Sequence, residues 1–130
     1  MSVSQATIAF ACDILSGVGE VSARRMFGAA GLYVRGVMFA LIDDDRIFLK
    51  TDEALRIDLA AAGADSWIYT EVKGPKAGVP QTTSYWSLPD SANDDPEEAA
   101  DWGQRALQVA LAIKAVKPAG RRRNTATPSF

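Results

Sequence analysis

One cysteine, Cys12, supplies all the thiol chemistry open to this sequence, and there is no histidine to take up its proton. Ser-His, Cys-His and His-metal arrangements are therefore excluded. A lone cysteine also makes neither an internal disulfide nor a thiolate zinc cluster. Cys12 falls in an apolar stripe with Ile8, Ala11 and Leu15, so a packed, unreactive thiol is expected. Carboxylates are plentiful but poorly spaced for catalysis. Asp43-Asp44-Asp45 lacks the alternating ligands, the glycine and the distant glutamate of a calcium loop, and reads as a solvated hairpin turn. Asp94, Asp95, Glu97 and Glu98 suit a helix start, where the dipole favours negative charge. Acid-base catalysis needs carboxylates that converge in a perturbed environment, which neighbouring loop residues do not supply. The Gly17 and Gly19 pair follows a helix instead of opening one and has no Lys-Ser/Thr partner, so it is not a phosphate loop.

Basic and aromatic residues leave more room for binding. Arg24, Arg25 and Arg35 lie on or beside strands, as edge charges or as contacts for a partner. Lys114, Lys117 and Arg121-Arg122-Arg123 form the strongest concentration of charge: no acid occurs from Ala112 onward, whereas residues 90–101 hold six acids and no base. Arg121, Arg122 and Arg123 are thus the candidates for weak, nonspecific nucleic-acid contact. The whole-chain charge of -2 argues against a protein that coats nucleic acid with its entire surface. Tyr33, Phe39, Phe48, Trp67, Tyr69, Tyr85 and Trp86 outnumber what a one-faced core takes in. Strand alternation sends some of them inward, and the rest line an open face suited to self-association or a protein partner.

These residues must be positioned by one domain, since 130 residues with 48% hydrophobic content suit a single core. Folding at this size buries roughly two-thirds of the unfolded surface. Residues 4–15 read as a helix ended by Ser16-Gly17-Val18-Gly19, with glycine admitting the left-handed conformation at its C-terminus. Residues 21–50 read as three or four short antiparallel strands. Gly28-Ala29-Ala30-Gly31 turns the chain, and Arg35-Gly36 has the spacing of a tight hairpin. Residues 37–42 are apolar throughout, so that strand is expected to be central and covered on both faces. Thr51 or Asp52 caps a second helix through Ala61, residues 67–72 and 82–88 are strands, and residues 73–81 form a Gly/Pro-rich loop. Asp95 and Pro96 open the last helix, whose spacing puts Trp102, Ala106, Val109, Ile113 and Val116 on one face. Residues 1–117 are expected to form the domain, and 118–130 a disordered basic tail. Without a signal peptide or an apolar run of ~20 residues, a cytoplasmic protein with no membrane association is expected.

Arg25-Met26-Phe27-Gly28-Ala29-Ala30-Gly31-Leu32-Tyr33, followed by Gly36-Val37-Met38-Phe39-Ala40-Leu41-Ile42 and Phe48-Leu49-Lys50-Thr51-Asp52, resembles the N-terminal domain of the TfoX/Sxy family. Thr83-Ser84-Tyr85-Trp86-Ser87-Leu88-Pro89 is similar to a second signature of that family, and Trp102 on the following helix also fits. The resemblance spans residues 8–115. It implies an α+β, two-layer α-β(3)-α-β(2)-α fold, with helices on one face of an antiparallel sheet, like a secretion chaperone. It also implies a place among regulators of natural competence, in a single-domain form without the family's helical C-terminal domain. No catalytic residue carries over. Within the motifs, Gly28 and Gly31 are read as permitting a tight reversal, and Phe27, Leu32 and Phe39 as filling the core.

The expectation is a regulatory or adaptor domain with no enzymatic activity and no cofactor. It acts through contact with a protein partner, such as the transcription machinery, and as a homodimer. Arg24, Arg25, Tyr33, Tyr85 and Trp86 are the candidate contact residues. The alternatives are nucleic-acid binding through the tail, or an enzyme or small-molecule binder with residues 74–81 over a pocket. The last needs a cleft lined by converging polar groups.

Overall fold

Ser4 opens the first helix: its hydroxyl accepts from the Thr7 amide at 3.1 Å, and α1 runs Gln5–Ile14. The computed structural model describes residues 3–26, 28–70, 74, 75 and 77–116. After a short 3-10 turn, Ser16–Val18, the chain forms β1 (Val21–Met26), β2 (Ala29–Val34), β3 (Val37–Asp43) and β4 (Arg46–Lys50). Two of the reversals are two-residue turns with both central residues left-handed: Arg35 and Gly36 (φ 53° and 77°), then Asp44 and Asp45 (φ 53° and 61°). That geometry matches the twist of the strands it joins. Asp52 then caps α2 (Glu53–Ala61), accepting from the Leu55 amide at 2.9 Å. The chain continues through β5 (Ser66–Thr70) and β6 (Pro80–Ser87). Finally Asp95 accepts from the Glu97 and Glu98 amides at the start of α3, Pro96–Val116.

All six strands join one antiparallel sheet in the order β1-β2-β3-β4-β6-β5. The α+β class and the helix-covered antiparallel sheet are as expected. Four strands precede α2, one more than the β(3) of the resemblance, because β1 pairs with β2 along its whole length.

The main core lies between one sheet face and the helices. Leu32, Val34, Phe39, Ala40, Ile42, Ile47 and Leu49 from the sheet meet Ile8, Ala11, Leu15, Leu55, Leu59 and Leu107. Phe39 joins this face because β3 slips register between Met38 and Ala40, which turns one extra residue inward. Small residues set the approach of α3: a Cβ on Gly103 would stand 2.7 Å from Val18 Cγ2 and 3.0 Å from Leu15 Cδ2.

Three expectations need correction. Gly31 belongs to no turn; it pairs with Arg24 and Leu41 in mid-sheet. A Cβ there would lie 2.8 Å from Met26 Cε and 3.1 Å from both Met38 Sδ and Tyr33 Cε1, so the glycine makes room for large neighbours. Gly17 likewise sits under helix packing, where a Cβ would come 2.7 Å from Ala100 Cβ, and the left-handed φ (152°) falls on Gly19. The inward face of α3 holds only part of the expected stripe: Ala106 and Val109 are buried, but Trp102 is half-buried and Ile113 is 39% exposed, while Ala99, Gly103, Leu107 and Ala110 complete the buried face. Volume explains it, since a helix this close to the sheet admits small side chains first. Phe27 and the tail with Lys117 and Arg121-Arg122-Arg123 lie outside the described residues.

Candidate functional site

Among the described residues no helix packs on the second face of the sheet, yet Leu41 and Phe48 on it are each only 4% exposed. Part of what covers them is the chain itself. Between Ser66 and Ile68 of β5 stands one residue, Trp67, whereas between their β6 partners Trp86 and Thr82 stand three. This irregularity kinks the hairpin, as bulges do. The Thr83 hydroxyl stabilises the kink by donating to the Trp67 carbonyl at 3.0 Å and accepting from the Tyr85 amide at 3.1 Å. Beyond the kink, β5 and the first half of β6 form an arm that bends over the sheet.

The bend follows from two contacts. Trp67 Nε1 donates to Asp43 Oδ2 at 2.9 Å, although β5 and β3 are three places apart in a sheet whose flat spacing would separate them by about 14 Å. Ile68, Tyr69 and Thr70 also line the same cavity as Met26 and Ala29, from the opposite edge of the sheet. Trp67 is the hub of the arm. Its ring meets Tyr69 at 5.6 Å, and Phe48 and Tyr85 at 6.3 Å each, the last edge-on at 87°.

Cations lie over the remaining aromatic faces. Arg24 stands 5.8 Å from the Tyr33 ring, Arg46 5.2 Å from Phe48, and Lys50 5.1 Å from Tyr85. Such pairs gain from the ring quadrupole, about 0.5–1 kcal/mol where exposed. Arg46 also pairs with Asp65 at 3.4 Å, and Lys50 Nζ donates to Ser84 Oγ at 2.7 Å. Burial pushes the Tyr85 phenol up from its ordinary value, and the nearby Tyr33 adds to that. Burial raises the half-buried Cys12 thiol as well.

Of the candidate contact residues, the structure brings Arg24, Tyr33 and Tyr85 to this second face. Arg25 points the other way and donates to the Val3 carbonyl at 2.6 Å. Trp86 faces the helix layer, half-buried against the main core. Strand alternation separates the neighbours in both cases. The acidic run does not gather either: Asp43 accepts from Trp67 and Asp45 Oδ1 from the Thr7 hydroxyl at 2.8 Å, so the side chains diverge. Among the described residues, no group of three or more Cys, Asp and Glu side chains is arranged to hold a metal ion, and no helix is long and apolar enough to cross a membrane.

Several residues of the face were not evident from the sequence as members of one surface. Met26, Met38, Leu41 and Asp43 alternate along their strands with core residues, and only the arm brings Trp67 over them. The period-two pattern from Met38 would have found part of this set, had the slip at Phe39 not reversed it.

No curated protein matches the chain. The model of the TfoX N-terminal domain matches residues 13–110, which takes in both sheet faces, α2 and most of α3. With its signature runs now placed in an antiparallel sheet under three helices, the chain belongs to the TfoX N-terminal domain family.

Proposed function

We propose that this domain is a non-enzymatic regulatory adaptor in transcriptional control, working by protein contact through the uncovered end of its second face. The observation that carries this reading is the set of aromatic rings with cations laid over them: Tyr33 with Arg24, and Tyr85 with Lys50. Tyr and Arg are the residues that protein interfaces favour at their centres, because they bring large area and polar handles at little cost in conformational freedom. The strands beneath hold them rigidly. The family supports the regulatory part of the reading, as its members are TfoX-type domains. The two groups with raised pKa values, Cys12 and Tyr85, are moved away from the ionised, reactive form, which suits a contact role better than catalysis.

Affinity capture from the native host tests the proposal, comparing the wild type with a Tyr33→Ala/Tyr85→Ala double variant. A component of the transcription apparatus retained by the wild type and lost by the folded variant is the expected result. Identical captures by the two proteins would refute the assigned surface. A second copy of the chain is a further proposed partner, and light scattering that finds a monomer throughout at tens of micromolar removes it.

Charge segregation in the sequence favours a second reading, nucleic-acid contact through Arg121, Arg122 and Arg123. It predicts affinity that falls steeply with salt. Deletion of residues 119–130 should then abolish a gel shift seen at low salt.

A further inference from the structure

Beneath the β5–β6 arm lies a cavity of about 300 Å³. Leu41 and Ala29 give it a buried apolar floor, and Met26 a thioether wall. Trp67 and Tyr69 close it with two rings whose centroids are 5.6 Å apart and whose planes meet at 47°, so that they form a corner instead of a stack. Ile68, Thr70 and a carboxylate make up the rest of the lining. Asp43 is half-buried and accepts a hydrogen bond from the neutral indole N–H of Trp67 at 2.9 Å. Among the described residues, no cation lies within ion-pair distance of it. Its cross-strand neighbour Arg46 is turned toward the Phe48 ring and Asp65.

The lining selects its ligand by charge and shape. An anion meets the Asp43 carboxylate and is repelled. A neutral apolar molecule fills the space but strips water from that carboxylate without replacing the lost hydrogen bonds, which is costly. An organic cation answers both surfaces, with its charge against Asp43 and its flat or alkylated body against the rings. The volume stands at the bottom of the roughly 300–1,000 Å³ range of small-molecule sites, which limits the bound part to a head group and a short stem.

We propose that this cavity binds a guanidinium or alkylated ammonium group carried on a short apolar stem. The group belongs either to a free small molecule or to an arginine or lysine side chain of another protein, and the recognition chemistry is the same. The site uses other residues than the adaptor reading, although Tyr85 meets Trp67 edge-on and Tyr33 shares the space over Gly31 with Met26, so the two surfaces adjoin.

The test uses the full chain labelled with nitrogen-15. Its three tryptophans give three indole N–H signals, and Trp67→Phe identifies that of Trp67. The protein is titrated with N-acetyl-arginine methylamide, with the neutral isostere N-acetyl-citrulline methylamide, and with a short arginine-containing peptide. The arginine compound should shift the Trp67 indole signal, and the citrulline compound should bind at least about tenfold more weakly. Asp43→Asn keeps an oxygen to accept from Trp67 but removes the charge, and should weaken arginine binding by a similar factor. Tyr69→Leu keeps the charge, removes one ring and should weaken binding several-fold. A peptide that binds more tightly than the capped residue supports the site with a partner side chain as its source; equal affinities support it with a small molecule. Equal binding of the arginine and citrulline compounds, binding unchanged in both variants, or no movement of the Trp67 signal at tens of millimolar overturns the proposal.

Discussion

Phe48 and Leu49 are neighbours on β4, point to opposite faces of the sheet, and are both buried, at 4% and 0% exposure. Their surroundings have little else in common. Leu49 lies on the helix-covered face, in the core cluster of aliphatic side chains under α3. Phe48 lies under a kinked arm of the sheet's own chain, between the Trp67 ring and the Arg46 guanidinium. The first environment is close-packed, with shapes fitted to within a methyl group. The second is held by a few directional contacts, such as that of Trp67 with Asp43, and it leaves space. One sheet thus has two unlike faces: one is packed under helices, and the other keeps the space in which binding is proposed.

The sharpest test of that division is Leu49→Ala, which should lower unfolding free energy by about 2–5 kcal/mol in urea titrations because the helices cannot collapse onto the lost volume. A loss under about 1 kcal/mol would mean that the helix layer is as yielding as the arm. Next come two glycines, one against α3 and one on the second face. Gly17→Ala places a methyl group against Ala100 Cβ, which has no rotamer by which to escape, and should cost about 1–3 kcal/mol. Gly31→Ala meets the ends of Met26, Met38 and Tyr33, which can rotate away, and should cost under about 1 kcal/mol. Equal losses for the two would erase the distinction between the faces. Asp52→Ala, which removes the cap of α2, should cost about 1 kcal/mol by the same measurement.

The smallest effect is one of pH, and it touches both layers. Cys12 and Tyr85 are neutral when protonated, and burial raises both above their ordinary values of 9.0 and 10.0. The unfolded chain therefore ionises first, and the folded protein holds more protons between the two values. Stability falls as pH rises through that interval and is unaffected below it. Denaturation midpoints measured upward from neutral pH should decline first with Cys12 and then with Tyr85. Cys12→Ser should flatten the first part of the decline and Tyr85→Phe the second. A midpoint that rises across this range would contradict the buried placement of both groups.

Much of the fold was legible because its signals are local. Ser4, Asp52 and Asp95 cap helices by bonds to amides two or three residues away. Arg35-Gly36 and Asp44-Asp45 form turns whose backbone angles depend on hardly anything beyond the turn. The candidate site was legible only in part. Tyr33, Tyr85 and the other aromatics announce a surface richer than a core requires, but nothing local separates Arg24 from Arg25 or Tyr85 from Trp86. Sorting them requires register, and the register of β3 slips at Phe39 while that of β5 and β6 slips around Trp67.

The amino-acid sequence by itself determined the elements, their caps and turns, the antiparallel pairing of the first strands and the absence of histidine chemistry. All of these depend on residue types a few positions apart or on simple counts. Tertiary structure alone decided which glycine turns the chain and which one makes room, and which aromatic rings are exposed. It also decided that an acidic turn residue meets a tryptophan across the sheet. Those outcomes depend on a kink that folds one sheet edge over a face. Side chains about forty residues apart in some cases, and about twenty-four in the pairing of Asp43 with Trp67, become neighbours only when the whole sheet is assembled.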